Sequence, residues 1–327
     1  MILLFILTAE RNKIKKKGEY GCIHRQKHSE KKSMHFIENE KLIVQISDLG
    51  AELCSVLDKD LGMERIHDGN PKVWNRHAPL LFPFVGKVTN GVYRIGEKEY
   101  SMELQHGFAR DMEFTCVEKS FQKVVHCLKS TEETKKNYPF DFELLVTHEL
   151  DEINQKLLRI TWEIKNKGED TMYYFIGGHP GFTTKEKDPK AKEAYYLEFE
   201  GKDSITYFGV NSESGFAAPN ETKEILLEKG KMLFHKDIYE TLIFDDPKFT
   251  KIRILRPDQS CHITMDCTGF TSFGIWTKEE ADYICLEPWM GRTDDHGFTG
   301  TIKEKMGVLT LNKGESNRIC YTIEFHS

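Results

Sequence analysis

From Met34 onward, hydrophobic and polar positions alternate with a period of two, the mark of strands with one buried face. Leu42–Ser47 and Ala51–Leu57 flank the turn signal Asp48-Leu49-Gly50, and 93–102 reads as a hairpin through Gly96-Glu97. Segments 112–119 and 122–130 form another pair. In 158–165, Leu158, Ile160, Trp162 and Ile164 face one way and Arg159, Thr161, Glu163 and Lys165 the other, predicting a half-buried antiparallel strand. Asn166-Lys167-Gly168 then turns the chain into the apolar run Met172–Ile176. Further strands are expected at 194–199, 251–255, 262–267, 272–276, 283–286, 308–311 and 319–325. Helix signals are scarce. Lys278–Ala281 can form a turn, and Asp188-Pro189 can open a short helix through Glu193, with Asp as N-cap and Pro at the first position. The expected architecture is mainly β: one large antiparallel β-sandwich over residues 34–327.

The first 33 residues do not share this pattern. Met1–Ala9 is apolar, and nine Lys or Arg against three Glu then make residues 1–33 a basic extension of charge +6. With a net charge of -6 for the chain, -12 is left for the remainder. A signal peptide carries its positive charge before the apolar segment, not after it. Eight or nine apolar residues are also far fewer than the roughly 20 that span a bilayer. The extension is expected to be poorly ordered or foreign to the fold.

Composition narrows the function. Hydrophobic residues at 39% and aromatics at 11% support a sizeable core and exclude global disorder. The acidic balance speaks against nucleic acid, and no apolar run speaks for a membrane. The eight cysteines form no C-x-x-C, and several sit in apolar runs, as free thiols of a cytoplasmic protein would. There is no GxGxxG or GxxxxGK[ST] nucleotide loop, no HExxH and no Gly-x-Ser-x-Gly elbow, and no cofactor or metal is expected.

Three segments carry candidate chemistry. In the first, an apolar strand runs into Gly177-Gly178-His179-Pro180-Gly181, which holds an imidazole at a strand end with little freedom. In the second, Glu287 follows an apolar strand and precedes Pro288-Trp289. Partial desolvation raises such a carboxyl toward the range of a general base, and the Trp offers an apolar floor for a sugar ring. In the third, Arg76–Lys87 interleaves prolines, aromatics and a cation, with His106 and Arg110 beyond; polar groups on an aromatic background suit a neutral, many-hydroxyl ligand, and Lys87 and Arg110 can also take a carboxylate or a phosphate. Each has a plain structural alternative: a core histidine bonded to a carbonyl, a strand-end Glu paired with Arg292, and a tight turn at His106-Gly107.

Together, Ala78-Pro-Leu-Leu-Phe-Pro-Phe-Val-Gly86, Gln105-His-Gly-Phe-Ala-Arg-Asp-Met-Glu-Phe114, Gly177-Gly-His-Pro-Gly-Phe182 and Leu286-Glu-Pro-Trp289 resemble the aldose 1-epimerase (galactose mutarotase) superfamily, and most its LacX-like branch. The resemblance implies a β-supersandwich with a metal-free acid/base site that acts on a monosaccharide, in a monomer or homodimer. It places His179 at the general acid, Glu287 at the general base and His106 at a second histidine that contacts sugar oxygens. Lys87 stands where the family commonly has Arg, which keeps the charge and loses the bidentate fork. An acid expected before a Leu-Ile-Phe strand matches Glu240 in Glu240-Thr241-Leu242-Ile243-Phe244, with Asp237 competing. The implied reaction opens a hexose ring and closes it on the other face. The alternatives are a hexose-6-phosphate epimerase, in which Lys87, Arg110 and Arg292 would serve the phosphate, and a non-catalytic sugar-binding protein. A glycoside hydrolase normally needs two placed carboxylates, and one convincing candidate is present.

Overall fold

The strand of plainest alternation lies in the middle of the largest sheet. In the computed structural model, which describes residues 33–184, 191–234 and 241–327, Leu157–Asn166 buries Leu158, Ile160, Trp162 and Ile164 and turns Arg159, Glu163 and Lys165 outward. Its partners are Phe142–Leu150 and Ser316–Phe325. The nine-stranded sheet runs in the order Lys231–Leu233, Tyr196–Phe199, Lys251–Leu255, Cys261–Asp266, Ser316–Phe325, Leu157–Asn166, Phe142–Leu150, Lys123–Lys129 and Thr115–Lys119. A second sheet orders Leu242–Asp245, Ser272–Trp276, Tyr283–Met290, Ile176–Gly178 and Leu80–Leu81, with Gly181–Thr183 also paired to Tyr283–Met290. A four-stranded sheet comprises Met34–Glu38, Leu42–Ser47, Leu53–Asp58 and Met63–Glu64. All these ladders are antiparallel, so the fold is the mainly β arrangement that the alternation predicts.

The second sheet packs on the first through Gly178. A Cβ there would lie 2.8 Å from the Tyr321 hydroxyl and 3.4 Å from the Trp162 ring, so only glycine lets the strand approach so closely. Trp162 and Tyr321 meet at 5.3 Å between ring centroids, and Phe270 closes on both.

Three elements differ from the sequence reading. Phe142–Leu150 is a nine-residue strand with strictly alternating burial that the pattern did not single out, because Leu144-Leu145-Val146 blurs its period. Glu132–Asn137 forms one short α-helix; Thr131 caps it, accepting from the Thr134 N–H while the Thr134 hydroxyl bonds back. The strand expected to stop at Leu286 runs to Met290, straight through Pro288. The Leu286 N–H points to the carbonyl of Pro180 at 3.3 Å. Two residues on, the missing N–H of Pro288 faces the same side, where the ladder is already broken between Ile176–Gly178 and Gly181–Thr183, so proline costs no hydrogen bond there.

Of the described cysteines, Cys127, Cys267 and Cys285 are buried and the others half-buried, all as free thiols. Among the described residues, no helix is long and apolar enough to cross a membrane. The readings on residues 1–32, on the start of the helix at Asp188-Pro189, and on Asp237 and Glu240 fall outside the described residues; Ala191–Ala194 is a 3-10 turn.

Because Trp162 is the largest fully buried side chain and joins the two sheets, Trp162→Ala is expected to cost about 3–5 kcal/mol, read as a lower urea midpoint with unchanged slope.

Candidate active site

The ladder itself brings His179 to Glu287. Ile176 and Gly177 pair with Met290 and Trp289, and Gly181–Thr183 pair with Cys285–Tyr283 in the same register. The two short strands are therefore one strand interrupted at His179-Pro180, and His179 falls directly across from Glu287. Directly opposed Cβ atoms lie about 4.5–5.5 Å apart, so side chains on the same face must meet. His179 Nε2 is 3.2 Å from Glu287 Oε2. On the other flank Glu287 is opposed by Gly274, over which the Trp289 ring packs. The His179 backbone is held by its N–H to the Pro79 carbonyl at 3.1 Å.

Alternation assigns the rest of this face. Tyr283, Cys285, Glu287 and Trp289 point one way from their strand, while Ile284 and Leu286 enter the main core. Of the first set, Glu287 and Trp289 reach a cavity of about 400 Å³ that His179, His106, Lys87 and Arg110 also line. That is within the range of small-molecule pockets, about 300–1,000 Å³. Each described candidate residue is thus brought to one cavity. Trp289 is itself 5% exposed; its indole lies across Gly177 and Gly274, where a Cβ would come within 2.6 and 2.4 Å of the ring. It is a floor beneath the cavity more than an open stacking face.

His106 arrives on a loop in an uncommon conformation. Its φ is +68°, followed by Gly107 at +69°, where a Cβ would lie 2.3 Å from the Phe82 carbonyl oxygen. The loop is zipped to the Ala78–Lys87 segment: the His106 N–H donates to Gly86 O at 2.7 Å, and the Gly86 N–H donates to His106 Nδ1 at 3.0 Å. Nδ1 therefore accepts and the ring proton sits on Nε2, which the Gln105 side-chain amide approaches at 3.2 Å. Its ring centroid lies 5.7 Å from that of His179. The turn at His106-Gly107 and a place at the cavity are thus both present.

The cations differ. Lys87 is exposed, and its ammonium has no hydrogen bond or ion pair among the described residues. Arg110 Nη2 donates to Gln105 O at 2.6 Å, while its Nε is buried without a hydrogen bond, 3.8 Å from Asp111 Oδ2. Arg292 is neither the partner of Glu287 nor a cavity cation. Its Nε donates to Asp245 at 2.8 and 2.9 Å and its Nη1 to Asp295 at 2.6 Å, because the residue falls past the end of the strand and turns away from the cavity.

Burial sets the protonation of the central pair. It pushes the Glu287 carboxyl well above the usual carboxylate range, opposed weakly by the nearby Trp289 indole N–H. It pushes His179 down to about 3, with the Arg110 charge adding to the effect. Burial likewise holds His106 well below the usual imidazole range, with His179, Arg110 and Arg76 adding to it. Burial thus works against the ionic form of both groups. His179 Nδ1, Glu287 Oε2 and Trp289 Nε1 are buried and make no well-formed hydrogen bond, although Oε2 lies 3.2 Å from His179 Nε2 and the indole N–H is near the carboxyl.

Sequence reasoning missed Trp74 and Trp276. Both half-buried rings border His179, at 4.9 and 5.4 Å between centroids, and both line the cavity. Trp276 could have been found by period two from Gly274 on its strand; Trp74 stands in an irregular segment and leaves no such trace.

Residues 33–319 match the aldose 1-epimerase family, and the chain belongs to it. It is 31% identical over 295 residues to the plasmid-encoded protein LacX of Lactococcus lactis subsp. lactis, covering 88% of this chain and 97% of that one. Among solved structures it is similar to a galactose mutarotase related enzyme from Lactobacillus acidophilus, with a TM-score of 0.83 and 29% identity over 90% of this chain and 98% of the other. A galactose mutarotase-like protein from Lactobacillus casei gives a TM-score of 0.81 at 30% identity, over 90% of this chain and 100% of the other.

Gly274→Ala is expected to displace the Trp289 indole and cost about 1–3 kcal/mol through overpacking, seen as a lower melting temperature with a changed near-UV circular dichroism signal. An unchanged near-UV spectrum would mean that the indole is not held there.

Proposed function

We propose that residues 34–327 act as one catalytic domain that interconverts the α- and β-anomers of an aldohexose. The single observation that carries this is the face-to-face placement of His179 and Glu287 at the cavity, 3.2 Å apart; burial, which raises the carboxyl and lowers the imidazole, supports one proton shared between them.

Anomer exchange needs a base for the proton of the anomeric hydroxyl and an acid for the ring oxygen. Glu287 as carboxylate takes the first proton and His179 as imidazolium gives the second. The C1–O5 bond breaks as the C1–O1 bond becomes a carbonyl, the aldehyde rotates about C1–C2, and the reverse transfers close the ring on its other face. The pair ends as it began, so no cofactor is consumed. The working state, with the proton on His179, has the same net charge as the resting state with the proton on Glu287. Moving one proton between two facing groups reaches it with no exchange with solvent, once a sugar's hydroxyls occupy the unpartnered polar atoms. His106 offers its Nε2–H to a sugar oxygen, Lys87 and Arg110 hold hydroxyls, and Trp289 supports the ring from below. The rims of Trp74 and Trp276 keep water from the imidazole.

A hexose 6-phosphate is the second reading, favoured by the free ammonium of Lys87 at the cavity. A panel of aldoses and their 6-phosphates in an anomerisation assay decides between the two. Binding of a sugar by calorimetry with no rate enhancement would instead mean a non-catalytic binding protein.

Glu287→Gln removes the base and is expected to lower kcat by about 10²–10⁴-fold in polarimetry while sugar binding persists; wild-type turnover would remove Glu287 from the mechanism. His179→Asn is expected to do the same, and retained activity would move the acid to His106. The pH profile follows from the pair. A second proton must enter the imidazole, which burial depresses to about 3, so kcat/KM is expected to hold through the ordinary imidazole range near 6.5 and to fall only well below it. An acidic limb centred near 6.5 would contradict the shared proton.

A further inference from the structure

We propose a second site, unrelated to the cavity, that binds a borderline divalent cation, zinc in the first instance, between His35, Asp48 and His126. The three residues are scattered in sequence and show no ligand spacing. The fold gathers them where two sheets meet. His35 lies on Met34–Glu38, Asp48 follows Leu42–Ser47, and His126 lies on Lys123–Lys129 of the nine-stranded sheet.

Both imidazoles aim the same nitrogen at the same oxygen. His35 Nε2 is 2.8 Å and His126 Nε2 is 3.0 Å from Asp48 Oδ1. The ring centroids are 5.2 Å apart at 72°. Two histidines on one tetrahedral zinc, with Zn–N of about 2.0–2.1 Å, place their centroids about 5 Å apart, so the rings need little movement to receive an ion. The backbone of Asp48 is fixed on both sides: its N–H donates to Ser33 O at 3.0 Å, and its carbonyl accepts from the Phe114 N–H at 2.8 Å. His126 is fully buried; its Nε2–H faces the Asp48 carboxylate and its Nδ1 is unpartnered, so the ring proton can pass to Nδ1 when an ion takes Nε2. His35 and Asp48 keep 18% and 14% of their side chains exposed, which gives an ion access from solvent.

The donor set is two imidazoles and one carboxylate, which suits zinc over magnesium or calcium. A fourth position remains for water or for Cys116, the cross-strand partner of His126. Burial raises that thiol first and the Asp48 charge adds to it, so the two are near neighbours. None of these residues lines the catalytic cavity. The ion would pin the four-stranded sheet to the edge of the nine-stranded one.

The test is calorimetric titration of the untagged, EDTA-stripped full chain with zinc and, separately, with magnesium. Cobalt(II) serves as a spectroscopic probe. Two other clusters, Glu52–Cys54–His77 and His179–Cys285–Glu287, also hold ligand-type atoms, so each is removed in a control, Cys54→Ser and His179→Asn. The expected result is that His35→Ala and Asp48→Asn each bind one zinc equivalent fewer than wild type and lose the cobalt absorption and the zinc-induced rise in melting temperature. The two controls keep all three, and magnesium produces none. Equal zinc stoichiometry in wild type and both variants would overturn the site, as would a loss confined to the controls, or wild-type chain that takes up no zinc. His35→Ala changes a partly exposed side chain, so its circular dichroism is expected to match wild type and its result to stand even where Asp48→Asn fails to fold.

Discussion

One register governs this molecule: the antiparallel pairing that sets His179 across from Glu287. A ladder has a fixed pitch and strict alternation, so a slip of one residue on either strand would send one of the two side chains to the opposite face. The pairing is pinned on both sides of the break at His179-Pro180, by Gly177 against Trp289 and by Gly181 against Cys285. The glycines serve the same constraint. Gly177 and Gly274 admit the Trp289 ring, and Gly178 lets the strand rest on Trp162. The facing of His179 and Glu287 is thus a consequence of sheet packing, with no loop needed to bring the two together.

Burial then converts geometry into chemistry. A carboxyl and an imidazole in water would each follow its own titration. Side by side on an apolar floor neither ion is favoured, and the two groups hold one proton between them. Such a pair suits a reaction in which one proton leaves the substrate as another arrives.

Much of this was legible in the amino-acid sequence, and the illegible parts have physical reasons. Leu158–Lys165 declares its strand because its buried and exposed positions never mix, whereas Phe142–Leu150 hides an equally regular strand behind Leu144-Leu145-Val146. Pro288 argues locally against a strand, and only the break in the neighbouring ladder makes it tolerable. His179, Glu287, His106 and Arg110 stand in dense local motifs and could be singled out one by one. Their meeting could not be read from those motifs, because it depends on pairings between segments about a hundred residues apart. Trp74 and the His35–Asp48–His126 cluster lie beyond the same horizon: each residue is unremarked in its own segment and acquires meaning from what the fold sets beside it. The family match over residues 33–319 supplies the chemistry to which this geometry answers.

The central claim, a single proton shared by His179 and Glu287, is tested most directly by ¹⁵N NMR of the His179 ring in the ligand-free protein, titrated from neutral to acidic pH and assigned by its loss in His179→Asn. The account predicts that the ring stays neutral through pH 6.5 and gains a proton only toward about 3. A ring already charged at neutral pH, or one titrating near 6.5 like a solvated imidazole, would contradict it.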